Sequence, residues 1–213
     1  MKPDILYEDN HILVVDKAPG ILTQPSGTEQ PNLEIFCKDF LKKRDNKPGN
    51  VYLHAVHRLD KPVGGIVLFA KTSKALVRLN ADIREHTTRK HYEALLFGRL
   101  EKDKGTLENY LIHDNHFGMV VSKDTKKAKL ARLHYEVIEV KNNVTRVSIE
   151  LETGRYHQIR VQFAHIDHPI VGDRKYGSTH QYNGNSIALI HKNLTIRHPT
   201  KKKQMNFQTK LFI

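Results

Sequence analysis

The sequence has little of what would place it in a membrane or an oxidising compartment. Cys37 is its only cysteine, so no disulfide framework can form and a cytoplasmic setting is expected. The longest uninterrupted apolar run is Ile66-Val67-Leu68-Phe69-Ala70, far short of the roughly 20 residues of a spanning helix. The N-terminus, Met1-Lys2-Pro3-Asp4-Ile5-Leu6-Tyr7-Glu8-Asp9, carries acids where a secretory leader carries an apolar stretch. Metal-ligand patterns are missing too. The 14 histidines are scattered, without HExxH or paired Cys/His spacing, so no metal site is expected. Gly64-Gly65 lacks the flanking Gly-Lys-Ser/Thr of a phosphate-binding loop. No internal repeat and no break in composition marks a boundary.

Acidic residues are also in the minority. Asp and Glu total 23 against 35 Lys and Arg, a formal charge of +12 over 213 residues. Such a surface attracts polyanions, and with no membrane segment in view nucleic acid is the expected partner. The length suffices for a core without staples, and 1–213 is read as one domain.

Local patterns give the coarse organisation. Ile12-Leu13-Val14-Val15 reads as a strand and Lys17-Ala18-Pro19-Gly20 as a turn. Residues 23–31 and 45–50 read as loops. Leu33, Ile35 or Phe36, Phe40 and Leu41 recur near helical spacing, so 32–43 is a predicted helix. Lys42-Lys43-Arg44 suits the negative end of its dipole. Ile66–Ala70 is a buried strand. Thr72 or Ser73 then caps a helix with Leu76, Leu79 and Ile83 on its apolar face. Tyr92–Phe97 is the next strand, closed by Gly98. Residues 101–132 show no clear period and read as loops and short strands, with Lys126-Lys127-Ala128-Lys129 exposed. Leu133–Val140 and Val144–Leu151 form a hairpin turned at Asn142-Asn143. A helix begins near His157, residues 177–186 are Gly/Ser/Asn-rich, and a last strand pair surrounds His198–Lys203. Strands dominate without regular alternation with helices, which predicts α+β with a mainly antiparallel, mixed sheet and flanking helices.

Two basic segments carry the chemistry. In the first, His57-Arg58-Leu59-Asp60-Lys61-Pro62, one carboxylate sits among cations just before an apolar strand. A carboxylate beside guanidinium stays ionised, which suits a nucleophile or base. Retaining glycoside chemistry normally uses a second carboxylate to protonate the leaving group, and none is placed here. A uracil anion, delocalised over its ring, needs less protonation. On spacing alone, a structural Arg58–Asp60 pair and a catalytic Asp60 are both open, and charge pairs outnumber catalytic acids. In the second segment, Arg155 and Arg160 flank Tyr156-His157-Gln158, and a helix starting there presents free N–H groups to phosphate. Singly, these arginines fit a surface helix equally well, and Tyr92 alone fits a core.

Together the segments resemble a known family. His57-Arg-Leu-Asp-Lys-Pro, followed by Gly65-Ile-Val-Leu-Phe-Ala-Lys-Thr72, is similar to the catalytic signature of the RluA-type pseudouridine synthases. Ile5 to Gly20, Lys90-His-Tyr-Glu-Ala-Leu95, Thr153-Gly-Arg-Tyr-His-Gln-Ile-Arg-Val161, Ala164 to Gly177 and His198-Pro199 resemble further family motifs in order. The resemblance implies the pseudouridine synthase fold with a central cleft, and isomerisation of uridine in tRNA or ribosomal RNA. It implies that Asp60 is the essential aspartate, that Tyr92 stacks on uracil, and that Arg160 pairs with Asp60 and helps admit a flipped nucleotide. His57, Arg58, Arg155, His157 and Gln158 are the expected substrate-binding residues. The target is expected in a stem-loop, since sequence-specific RNA recognition reads splayed bases, and a monomer is expected because no amphipathic stripe is spare. Val63-Gly64 stands where the family often has Thr-Ser, Tyr156 where Thr often caps the helix, and Gln162 where His is common. The first motif begins at Ile5, so no S4-type RNA-binding domain is expected before it, and RNA selection falls to the basic surface. A catalytically weak RNA chaperone and a small-molecule nucleoside hydrolase are the rival readings. The intact Asp60, Tyr92 and Arg160 argue against the first. The charge of +12 argues against the second.

Overall fold

The computed structural model describes residues 2–27, 29–184 and 186–213. Met1, in the acid-bearing N-terminus, and Thr28 and Asn185, in segments read as loops, lie outside the described residues. The elements run β1 (Asp4–Glu8), β2 (Ile12–Lys17), α1 (Leu33–Arg44), β3 (His54–Ala55), β4 (Gly64–Ala70), α2 (Ser73–Arg84), β5 (Arg89–Phe97), β6 (Lys104–Asp114) and β7 (Phe117–Val121). They continue with β8 (Lys129–Lys141), β9 (Val144–Leu151), α3 (Gln158–His165), a 3-10 turn (Arg174–Tyr176), β10 (Leu189–Arg197) and β11 (Gln204–Gln208). The chain divides into two compact units, Met1–Thr88 with His191–Phe212, and Arg89–Ile190 with Ile213.

The first unit is built on the two most apolar runs of the sequence. β2 and β4 pair antiparallel from Ile12↔Ala70 to Lys17↔Gly65, and every residue of both is buried. A continuous apolar run, not an alternating one, is what a strand covered on both faces requires. β1 flanks β2, β10 follows β4, β11 pairs with β10, and β3 lies beside β4. Ile12, Val14, Ile66 and Leu68 pack with Ala75 and Leu79 of α2 and with Leu194 and Ile196 of β10. The Thr72 hydroxyl caps α2 by accepting the Ala75 N–H at 3.1 Å. Asn32 caps α1 in the same way through the Ile35 N–H at 3.0 Å. The α1 face differs from the sequence reading. Leu33, Cys37 and Leu41 are buried at i, i+4, i+8, whereas Ile35 is 46% exposed. Of the two alternatives Ile35 and Phe36, it is Phe36 that is partly buried; the small thiol of Cys37 completes the stripe, and burial pushes that thiol up to about 12.

The second unit is an antiparallel sheet in the order β5-β9-β8-β6-β7. Here the reading of 101–132 as loops and short strands is corrected. β6 runs for 11 residues and pairs with β8 from Lys104↔Glu136 to Leu111↔Lys129. Its apolar signal is weak because one face is exposed and polar, so only Leu111 is fully buried. Its partner lies about two dozen residues on, beyond the reach of local pattern. Lys126, Lys127 and Lys129 are exposed, as expected. The β8–β9 hairpin turns at Asn142 and Asn143, with φ of 51° and 58°, the left-handed pair of a type I′ turn. α3 packs on this sheet through Val161 against Leu111 and Ala131. The strand pairings β1–β2, β2–β4, β3–β4, β10–β11, β5–β9, β6–β7, β6–β8 and β8–β9 are all antiparallel, in keeping with the α+β reading.

Candidate active site

In the first unit, Asp60 sits on the loop that leads into β4. That loop is held by main chain and by two side chains, Lys17 at the end of β2 and Thr23 of the β2–α1 connection. The buried Thr23 hydroxyl donates to Leu59 C=O at 2.8 Å and accepts Leu59 N–H at 3.0 Å. Gly20 N–H donates to Lys61 C=O at 2.7 Å, and Val63 N–H returns to Asp60 C=O at 3.0 Å. Lys17 is fully buried, and its ammonium donates to the carbonyls of Ala18, Ile21 and Lys61 at 3.1, 2.9 and 3.4 Å. Burial pushes the Lys17 ammonium down to about 8, while the negative Asp60 carboxylate opposes the shift. A buried cation is thus an electrostatic partner of the candidate acid. Asp60 and His57 are partly buried and Arg58 is exposed. His57 Nε2 accepts the Leu68 N–H at 3.2 Å, and its ring meets His191 edge-on at 5.2 Å.

The glycines after Asp60 have separate reasons. Gly65 has φ of +111°, and a Cβ there would stand 2.7 Å from His191 N, so β10 passes where any side chain would be. At Gly64, a Cβ would stand 2.8 Å from Leu211 Cδ1 and 3.2 Å from the Pro19 ring. The space that the family's hydroxyl side chain would need is therefore taken by Leu211 of the C-terminal segment. That segment is tied to the end of β2, since Lys210 N–H donates to the Asp16 carboxylate at 2.8 Å.

In the second unit the other predicted residues collect around the start of α3. His157 occupies the cap position with φ of 53° and gives no side-chain cap. Tyr156, where a capping hydroxyl was expected to be lost, stands one residue before that cap position. The carboxamide of buried Gln158 organises the approach instead. Its Oε1 accepts the Thr153 hydroxyl at 2.8 Å and Arg155 N–H at 3.0 Å, and its Nε2 donates to Arg132 C=O at 3.1 Å. Gln158 therefore turns both ends of its amide to the protein, holding the loop from which exposed Arg155 projects. Arg155 Nε donates to Leu130 C=O at 2.8 Å. Gln162, in place of a histidine, links α3 to β6 by donating to Asn109 Oδ1 at 2.8 Å and Leu107 C=O at 3.1 Å.

Arg160 is buried and gripped at both Nε and Nη2 by Asp173, at 2.7 and 2.8 Å. The two-point fork fixes the guanidinium plane, which also lies over the Tyr176 ring at 5.0 Å. The Tyr176 hydroxyl accepts Gly118 N–H at 2.9 Å and meets His157 Nδ1 at 2.7 Å. Tyr156 stacks between His113 and His157, at 3.9 and 3.8 Å between ring centres. Tyr92 lies on the buried face of β5, paired with Ile149 of β9. Asp173 and Tyr176 are the organising residues that the sequence reading did not single out. Their signal in the sequence is the Gly172-Asp-Arg-Lys-Tyr-Gly177 stretch, which lies within the family-like segment Ala164 to Gly177. Among the described residues, no group of three or more His, Cys, Asp or Glu side chains comes together as metal ligands.

A carboxylate on a fixed loop and, in the second unit, a cationic and aromatic surface point to a class, an enzyme acting on a nucleic acid. Comparison with known proteins makes this specific. The profile described as "RNA pseudouridylate synthase" matches residues 11–165. The chain is 33% identical over 209 residues to the Dual-specificity RNA pseudouridine synthase RluA of Haemophilus influenzae, covering 97% of this chain and 92% of that protein. It is 35% identical over 190 residues to the Ribosomal large subunit pseudouridine synthase D of Nitrosomonas europaea, covering 87% of this chain and 53% of that one. The solved structure titled Human RNA Pseudouridylate Synthase Domain Containing 4 superposes with a TM-score of 0.80 at 20% identity, covering 98% of this chain and 88% of that one. The protein belongs to the RNA pseudouridylate synthase family, and its reaction is the isomerisation of uridine in RNA.

Proposed function

We propose that Asp60 acts at uridine C1′, that Tyr92 stacks on the uracil, and that Arg160 helps to admit the flipped nucleotide. In this reaction the C1′–N1 bond breaks, the uracil turns, a C5–C1′ bond forms, the C5 proton departs and N1 takes up a proton, so the product is an isomer of the substrate. The observation that carries this reading is the Asp60 loop. Main-chain hydrogen bonds, Thr23 and Lys17 fix it at the start of β4, and a preorganised carboxylate is what attack at a sugar carbon demands. The reacting bonds are out of reach inside a helix, so the nucleotide leaves its stack, at least cost from a loop. We place Arg58, Arg155 and His157 on the RNA, His57 at the base of the Asp60 loop, and Gln158 behind Arg155. The substrate is a stem-loop uridine of tRNA or ribosomal RNA, met by a monomer in the cytoplasm without metal or cofactor. Mapping pseudouridine across tRNA and ribosomal RNA, with and without the gene, tests the substrate. Loss of one or a few loop sites is expected, and an unchanged map contradicts the reading. For Tyr92, Phe keeps the stacking surface and Ala removes it, so equal RNA binding and activity in the two variants would remove its stacking role.

A further inference from the structure

The second unit holds a buried cation, Lys90, for which no neutralising carboxylate is found among the described residues. Lys90, the second residue of β5, is only 8% exposed. Among the described residues it makes no hydrogen bond or ion pair. Burial pushes its ammonium below the usual lysine range, and no carboxylate offsets that effect. A buried, unpaired ammonium is costly to keep and is normally replaced or paired. Two further facts say where its partner comes from. Lys90 and Tyr92 alternate onto the same buried face of β5, roughly 7 Å apart along the strand, within the span of one nucleotide and its flanking phosphates. The Lys90 ammonium also lies beside Gly154, where even an added Cβ would sit 3.7 Å away. Gly154 is itself exposed, and Arg155 projects from the next position. The missing side chain thus leaves an opening to Lys90, flanked by a second cation.

We propose that Lys90 binds a backbone phosphate of the RNA strand through the opening at Gly154, next to the nucleotide stacked on Tyr92. The inference rests on the reading of Tyr92 given above and adds the group that receives the phosphate. A phosphate there supplies the charge-assisted hydrogen bonds that the ammonium lacks and completes the site only when substrate is present. Lys90→Met tests it, because the thioether fills the same volume without charge and removes a buried cation from the fold. Thermal stability should hold or rise, which excludes misfolding as the cause of any loss. The probe is bulk tRNA and ribosomal RNA from cells lacking the gene, labelled with tritium at uracil C5. Release of tritium should show KM raised at least about tenfold, the loss of one charge-assisted contact, with most of the loss in KM and not in kcat. The slope of log KM against log salt should flatten by about 0.7, one phosphate of a single strand, and Lys90→Arg should restore most of both. An unchanged KM and salt slope would overturn the proposal. So would a collapse of kcat that Arg does not rescue, which would make Lys90 a proton acceptor instead. If the wild-type protein itself released no tritium, the reading beneath the proposal would fall first, and that result is separable from a wild type that is active beside an unaffected Met variant.

Discussion

The Asp60 loop and the start of α3 are fixed by different means. The loop is held mainly through main-chain groups, with Lys61 C=O receiving Gly20 N–H and the Lys17 ammonium, and Leu59 bracketed by the Thr23 hydroxyl. The start of α3 is held by side chain on side chain: Arg160 on Asp173, His157 on Tyr176, Gln158 on Thr153. Main-chain anchoring fixes where a residue stands and leaves its neighbours replaceable. Side-chain anchoring fixes which way a planar group faces, and it fails when either partner changes. A carboxylate with the role proposed for Asp60, attack at one carbon atom, needs the first kind of support. Arginine and imidazole, which work through the direction of their planes, need the second.

That contrast can be broken most forcefully at Asp173. Asp173→Asn should cost about 3–5 kcal/mol in unfolding, because it removes the charge from the buried carboxylate that grips Arg160 at two points, and turnover should fall by orders of magnitude. Denaturant unfolding and single-turnover kinetics check both. Loss of activity with unchanged stability would show that the pair is not the structural bracket described. In the first unit, Thr23→Val should cost about 2 kcal/mol, since two main-chain groups of Leu59 lose a buried partner. Its turnover should fall only about tenfold, because the Gly20 and Lys17 contacts remain. A loss as large as that of Asp173→Asn would erase the distinction between the two regions.

Lys17 gives a pH test whose sign is fixed. Its ammonium titrates near 8 when folded against an ordinary value of 10.5, so between these values the unfolded chain binds more protons. Stability contributed by the wild-type lysine therefore rises with pH across that window, and below pH 8 the burial penalty is fully present. Relative to Lys17→Met, the wild type should gain up to about 3 kcal/mol from pH 8 to 10.5. A stability difference between the two that does not vary with pH would show that Lys17 is not held as a buried cation.

Much of this was legible in the sequence, for physical reasons. β2 and β4 are apolar runs with no other use than burial, Thr72 and the Asn142-Asn143 turn carry their geometry locally, and the motif around Asp60 is contiguous. What was not legible is non-local. β6 is half solvated and takes its partner from β8. Asp173 and Tyr176 matter because α3 brings Arg160 and His157 against them, which no spacing reveals. The Val63-Gly64 departure also made no sense locally, because Leu211, nearly 150 residues on, fills the space. Gly64→Ser should accordingly cost about 1 kcal/mol, since only the flexible end of Leu211 and the Pro19 ring must give. Leu211→Ala should recover most of that, as thermal melts of the single and double variants would show. An equally small effect is expected of Tyr156→Thr, which removes the stack on His113 and His157 one residue before the cap position and should change stability by about 1 kcal/mol.

The central claim is that one fixed carboxylate performs the isomerisation. Release of tritium from RNA labelled at uracil C5 measures it directly, because binding leaves that atom untouched. The wild-type protein should release tritium, and Asp60→Asn, which keeps shape and hydrogen bonding while removing the charge, should bind the same RNA with little change and release none. Release by the Asn variant within about an order of magnitude of wild type would contradict the account.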